Sequence, residues 1–134
     1  MTALNTNVLV YACDTADPAK QQRALQIIED TRHGVLLWQV ACKFLAASRK
    51  LVAQGLTPGQ AWARLTEFLE IFPLVLPSAE LLGRARELHV NRNLSFWDAM
   101  IIGACLDCGA NRLFSEDVPS TARFGDFEVI NPFA

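Results

Sequence analysis

Short apolar runs separated by amphipathic stretches with clear start and stop signals constrain this chain more than any other feature. Leu4-Asn5-Thr6-Asn7-Val8-Leu9-Val10-Tyr11 ends in a β-branched, apolar run and predicts a buried strand with a polar interruption. Val35–Leu37, Pro73–Pro77, Arg112–Ser115 and Phe127–Ile130 predict four more strands. Helices are expected between them. Asp17-Pro18 supplies a cap and a first-turn proline, Ala24, Leu25, Ile27 and Ile28 an apolar face, and Gly34 a stop. Trp38 to Gln54 predicts a second helix, ended by Gly55. Thr57-Pro58-Gly59-Gln60 has the form of a capping box and opens a third, with Trp62, Leu65, Phe68, Leu69 and Phe72 at helical spacing. Ser78 is expected to cap a fourth helix with Leu81, Leu82, Ala85 and Leu88 inward, and Ser95 a fifth from Phe96 to Cys108, ended by Gly109. Strands that alternate with helices predict a mostly parallel sheet covered on both faces, a three-layer α/β/α sandwich. With 134 residues, the expectation is a single domain over residues 1–134.

Composition narrows the function. Apolar residues make up 51% and charged residues 19%, which suits a core-rich chain with surface to spare for a subunit interface. The net charge of −2 gives no global positive field, so any nucleic-acid contact needs a local patch. No apolar run is long enough to predict a membrane span, and the first basic residue is Lys20, which argues against a secretory leader. Four cysteines in a chain with an ample core predict reduced thiols and a cytoplasmic protein. Cys105 and Cys108 form a CxxC without a second pair or a nearby pair of His, so packing as small hydrophobes is the expected role.

In a parallel sheet the functional crevice lies beyond the carboxyl ends of the strands. Three polar groups fall there: Asn5-Thr6-Asn7, Asp98 and Glu116-Asp117. Each also has a plainer role available. The first could be satisfied by local hydrogen bonds, Asp98 could serve the helix start in Ser95-Phe96-Trp97-Asp98, and Glu116-Asp117 could lie in a solvated loop. If they converge, they offer the oxygen ligands that hard divalent cations prefer. His33 and His89 have no acid or nucleophile placed beside them. Arg84, Arg86, Arg92 and Arg112 are read as solvated charges ahead of a phosphate-contacting rim.

Four segments in order carry a resemblance: Leu4–Tyr11, Trp38–Phe44, Leu94–Ala99 and Leu113–Asp117. Together they resemble the PIN-domain family, and within it the VapC-like ribonuclease toxins of toxin–antitoxin systems. The resemblance implies a PIN-like sandwich, about four acidic residues holding Mg²⁺ or Mn²⁺, an RNA substrate, a cognate antitoxin and a homodimer. It assigns the catalytic positions to Asn5, Lys43, Asp98 and Asp117. Asp98 and Asp117 are the matching metal ligands, Glu116 an accessory one, and Thr6 and Asn7 the supporting polar residues.

Two positions depart from the family pattern. Asn5 stands where Asp is expected, and Lys43 where Glu is expected. An amide oxygen coordinates weakly, and an ammonium has three donors and no acceptor. The net charge of the site therefore rises by three, one from Asp to Asn and two from Glu to Lys. An opposite pair at 4 Å is worth about 4 kcal/mol at an effective dielectric near 20, so divalent-metal affinity should fall sharply. Lys43 is expected either to pair with Asp98 or Asp117 in the metal's place, or to run to solvent along its helix. The functional expectation is a metal-dependent ribonuclease impaired at these two positions. The alternative is a non-catalytic pseudo-nuclease that binds RNA or an antitoxin.

Overall fold

The computed structural model describes residues 1–120 and 123–134. Their strands are β1 (Thr2–Leu4), β2 (Gly34–Leu37), β3 (Leu74–Val75), β4 (Arg112–Phe114), β5 (Arg123–Phe124) and β6 (Phe127–Ile130). Their helices are α1 (Thr6–Cys13), α2 (Pro18–Asp30), α3 (Trp38–Ala47), α4 (Pro58–Ile71), α5 (Leu81–Asn91) and α6 (Phe96–Cys108). The strands form one sheet in the order β3-β2-β1-β4-β6-β5. Every pairing is parallel except β5 with β6. Helices and a mostly parallel central sheet form the expected three-layer α/β/α sandwich. β1 lies in the middle, and its residues Thr2, Ala3 and Leu4 are all buried.

The first predicted strand is corrected. β1 stops at Leu4, and the Val8-Leu9-Val10-Tyr11 run is helical. Asn5 ends the strand by capping α1: its Oδ1 accepts from the Thr6 amide at 2.7 Å. Val8, Leu9 and Ala12 then face the core at helical spacing, and burial outweighs the β preference of the valines.

Local signals placed several other helix starts. The Thr57–Gln60 capping box forms with both hydrogen bonds. Ser95 caps α6, and Gly55 and Gly109 adopt the left-handed conformation that ends their helices. The Trp38–Gln54 helix tightens to a 3₁₀ segment over Ser48–Gln54. Helix α2 stops at Asp30, so Gly34 begins β2 rather than ending the helix; a methyl group there would overlap the Phe72 ring. Ser78 does not cap α5; its hydroxyl donates to Asp107 at 2.5 Å. Leu82 and Trp62 point outward, while Leu65, Phe68 and Phe72 are buried. The sequence reading missed β5, a two-residue strand joined to β6 by a turn with Gly125 at positive φ.

Cys105 is buried in the core, and burial pushes its thiol up from the usual range. Cys108 donates to the Cys105 carbonyl within the helix. Both fit the packing role expected of them. No helix among the described residues is long and apolar enough to cross a membrane.

Candidate active site

Beyond the carboxyl ends of β1, β2 and β4 lies a cavity of about 680 Å³. Asn5, Thr6 and Asn7 reach it from the β1–α1 junction, and Gln39 and Lys43 from α3. Asp98 reaches it from the first turn of α6, and Glu116 and Asp117 from the end of β4. All seven sequence-predicted residues therefore line one cavity. Asp14, Lys50, Tyr11 and Trp97 line it as well, and the sequence reading had not placed them there.

The cavity is held by a few polar contacts. Ser115 is fully buried, and its Oγ accepts from Asn5 Nδ2 at 2.8 Å and from the amides of Asp117 and Val118 at 3.1 Å each. Asn5 is thereby tied at both ends, Oδ1 to Thr6 and Nδ2 to Ser115. The Asp98 amide donates to Ser95 Oγ at 3.3 Å, and the helix dipole favours the Asp98 carboxylate at this end of α6. Neither the Asp98 nor the Asp117 carboxylate has a hydrogen-bond or ion-pair partner among the described residues, so both are free to meet a ligand. Thr6 Oγ1, both amide atoms of Asn7 and Gln39 Oε1 are buried without a partner among the described residues.

The two neighbouring carboxylates behave differently. Glu116 is fully engaged: Lys20 Nζ donates to Oε1 at 2.7 Å and the Tyr11 hydroxyl to Oε2 at 2.5 Å. Lys20 also donates to Tyr11 Oη at 3.1 Å and lies 4.6 Å from the centre of its ring. The hydrogen bond from Lys20 and that from Tyr11 hold the Glu116 carboxyl below its ordinary range. The bond to Glu116 raises the Lys20 ammonium, and likewise the Tyr11 hydroxyl. Glu116 is expected as an accessory metal ligand, but Lys20 and Tyr11 already occupy both of its oxygens.

A pH signature follows from these directions. The Glu116 contribution to stability is present above the usual glutamate pKa and is lost as pH falls through its lowered folded value. The Lys20 contribution is present below the usual lysine pKa and is lost as pH rises through its raised folded value. Lys20→Met is expected to lower the melting midpoint by a few degrees at most near pH 7, because the pair is partly solvated. That difference should shrink steadily as thermal melts are taken from pH 5 to pH 3. A difference unchanged across that range would show that the ion pair contributes nothing.

Lys43 makes no ion pair with Asp98 or Asp117 among the described residues, which corrects the expectation that it stands in for a metal by direct pairing. Nor does it run free to solvent. Its ammonium sits 4.5 Å from the centre of the Trp97 ring, at the cavity wall. The four arginines are placed away from the cavity lining. Arg112 donates to Thr2 Oγ1, Arg92 lies over Phe124, and Arg84 is 3.9 Å from Asp107.

These residues do not fit a resident divalent cation. Two free carboxylates face the cavity, the amide at position 5 is held by the Thr6 amide on its oxygen and by Ser115 Oγ on its nitrogen, and an ammonium shares the space. Among the described residues, no three of His, Cys, Asp and Glu gather where they could hold a metal ion.

The comparisons with known proteins agree with this fold. The PIN domain family matches residues 3–118, and the chain belongs to that family. No curated protein matches in sequence. A toxin–antitoxin complex from Klebsiella pneumoniae is similar in structure, with a TM-score of 0.73 and 16% identity over 99% of this chain and 98% of that one. VapBC2 from Rickettsia felis, bound to a DNA fragment from its promoter, gives 0.68 and 16% over 97% of each chain. The sarcin–ricin loop cleaving toxin VapC20 of Mycobacterium tuberculosis gives 0.70 and 18%, over 96% of this chain and 99% of that one.

Proposed function

We propose that this chain is a VapC-like toxin of a toxin–antitoxin pair, built on a metal-dependent ribonuclease centre that Asn5 and Lys43 impair. The observation that carries this reading is the convergence of Asn5, Thr6, Asn7, Lys43, Asp98 and Asp117 on one cavity beyond the strand ends. In a complete centre, Mg²⁺ or Mn²⁺ supplies activated water and neutralises charge on the phosphodiester. Here Asp98 and Asp117 remain, while Asn5 offers no charge and Lys43 repels a cation.

The similar structures are toxin–antitoxin proteins, which supports an antitoxin partner and an RNA substrate. An apolar groove of about 520 Å³ adjoins the cavity, lined by Trp38, Val75, Leu76, Leu81, Trp97 and Met100, and supports contact with another protein chain, an antitoxin or a second copy in a homodimer. The test is RNA cleavage with Mg²⁺ or Mn²⁺ and a chelator control, comparing this chain with Asn5→Asp/Lys43→Glu. Cleavage confined to the double variant is the expected result; equal cleavage by both would overturn the assignment of the impaired positions.

A second reading, the non-catalytic pseudo-nuclease, is favoured by one specific observation. Glu116, the carboxylate expected as an accessory ligand, is closed off by Lys20 and Tyr11. It predicts RNA or antitoxin binding that is indifferent to chelator, and no cleavage by either form of the chain.

A further inference from the structure

The hydrogen bonds around Ser115 do not balance with an amide at position 5. A serine hydroxyl has one proton to donate and two lone pairs to accept with. Ser115 Oγ receives three donors, the Asn5 Nδ2 and the amides of Asp117 and Val118. Its own proton has no acceptor among the described residues, although the residue is fully buried. Rotating the Asn5 amide does not help. An oxygen turned toward Ser115 would leave the nitrogen facing the Thr6 N–H, which now donates to Oδ1 at 2.7 Å. The surroundings therefore ask for an acceptor on both sides of the side chain at position 5.

We propose that Ser115 is a positioning residue whose hydroxyl is set to donate to a carboxylate at position 5 while it accepts from the Asp117 and Val118 amides. With a carboxylate at position 5, one oxygen accepts from Thr6 N–H and the other from Ser115 O–H. The two Ser115 lone pairs then serve the two loop amides, and every group is satisfied once. One hydroxyl would thus fix the side chain at position 5 and the loop that carries Asp117 relative to each other. The link to catalysis rests on the ribonuclease reading above. The hydrogen-bond assignment does not, and it is tested without RNA and in the presence of a chelator.

The test is a double-mutant cycle on thermal stability, with Asn5 and Asn5→Asp each measured in the Ser115 and the Ser115→Ala proteins. The new carboxylate meets the same Asp98, Asp117, Glu116, Asp14, Lys43 and Lys50 charges in both backgrounds, so their effect on the midpoint largely cancels in the comparison. Asn5→Asp is expected to be more favourable in the Ser115 background than in the Ser115→Ala background by on the order of 3 °C in midpoint. Equal shifts in the two backgrounds would overturn the proposal. If Ser115→Ala does not fold, a crystal structure of the Asn5→Asp variant decides. The expected result is the introduced carboxylate bridging Ser115 Oγ and the Thr6 amide, and a carboxylate turned away from Ser115 would overturn it.

Discussion

Replacing Asn5 with Asp and Lys43 with Glu together is expected to raise Mg²⁺- or Mn²⁺-dependent RNA cleavage by about 10²–10³-fold. The double change lowers the net charge of the cavity by three, removing one ammonium and adding two carboxylates, on the β1–α1 and α3 sides of the Asp98–Asp117 pair. A single opposite-charge contact at 4 Å is worth about 4 kcal/mol at an effective dielectric near 20, and solvent in an open cavity reduces it. An effective 3–4 kcal/mol in the transition state corresponds to roughly 10²–10³-fold in rate. The single changes should each do much less, because both act on one ion and neighbouring effects do not add. Lys43→Glu also removes the cation from the Trp97 face, so loss of the ring contact is a separate consequence. Lys43→Ala controls for it: the contact goes without a carboxylate arriving, and little cleavage should return. A gain in the double variant that survives chelation would show that the restored carboxylates act without a metal.

How far the sequence could be read follows from where each signal sits along the chain. Capping boxes and glycine stops are local, so α4 and α6 were legible from Thr57–Gln60, Ser95 and Gly109. The β1–α1 junction was not, because Val8-Leu9-Val10-Tyr11 is apolar on every residue, and so short a run has no period that separates strand from helix. The deciding signal was Asn5, a good N-cap with no helix-breaking residue behind it until Asp14. The convergence of Asn5, Lys43, Asp98 and Asp117 was foreseeable from the rule that a parallel sheet gathers its functional residues at the strand ends. The fate of Glu116 was not. Its partners Tyr11 and Lys20 lie 105 and 96 residues away, and nothing local separates it from Asp117. Long-range contacts likewise decided that Lys43 rests on Trp97 and that Gly34 lies beneath Phe72.

Phe44→Ala is expected to cost about 3–5 kcal/mol of folding stability, a midpoint loss on the order of 10–20 °C for a chain of this size. Phe44 is fully buried on α3 and packs edge-to-face with Phe68 of α4, their ring centres 5.6 Å apart. Truncation removes a large apolar surface from the core and leaves a void between the two helices. The change also reaches the site, because α3 carries Gln39 and Lys43 just ahead of Phe44. A loosened α3 should blunt the gain from Asn5→Asp/Lys43→Glu even at temperatures where the protein remains folded, since a carboxylate displaced by about 1 Å loses much of its effect on a bound ion. Trp62→Ala is the matched control. Trp62 is a larger aromatic residue on the neighbouring helix, but it is 61% exposed, and its loss should change stability by about 0.5 kcal/mol or less. Urea or thermal unfolding of the two variants separates the cases. Comparable losses would mean that α4 is held by its outer face as much as by its packing on α3, and that the wall of the cavity formed by α3 is not anchored through Phe44.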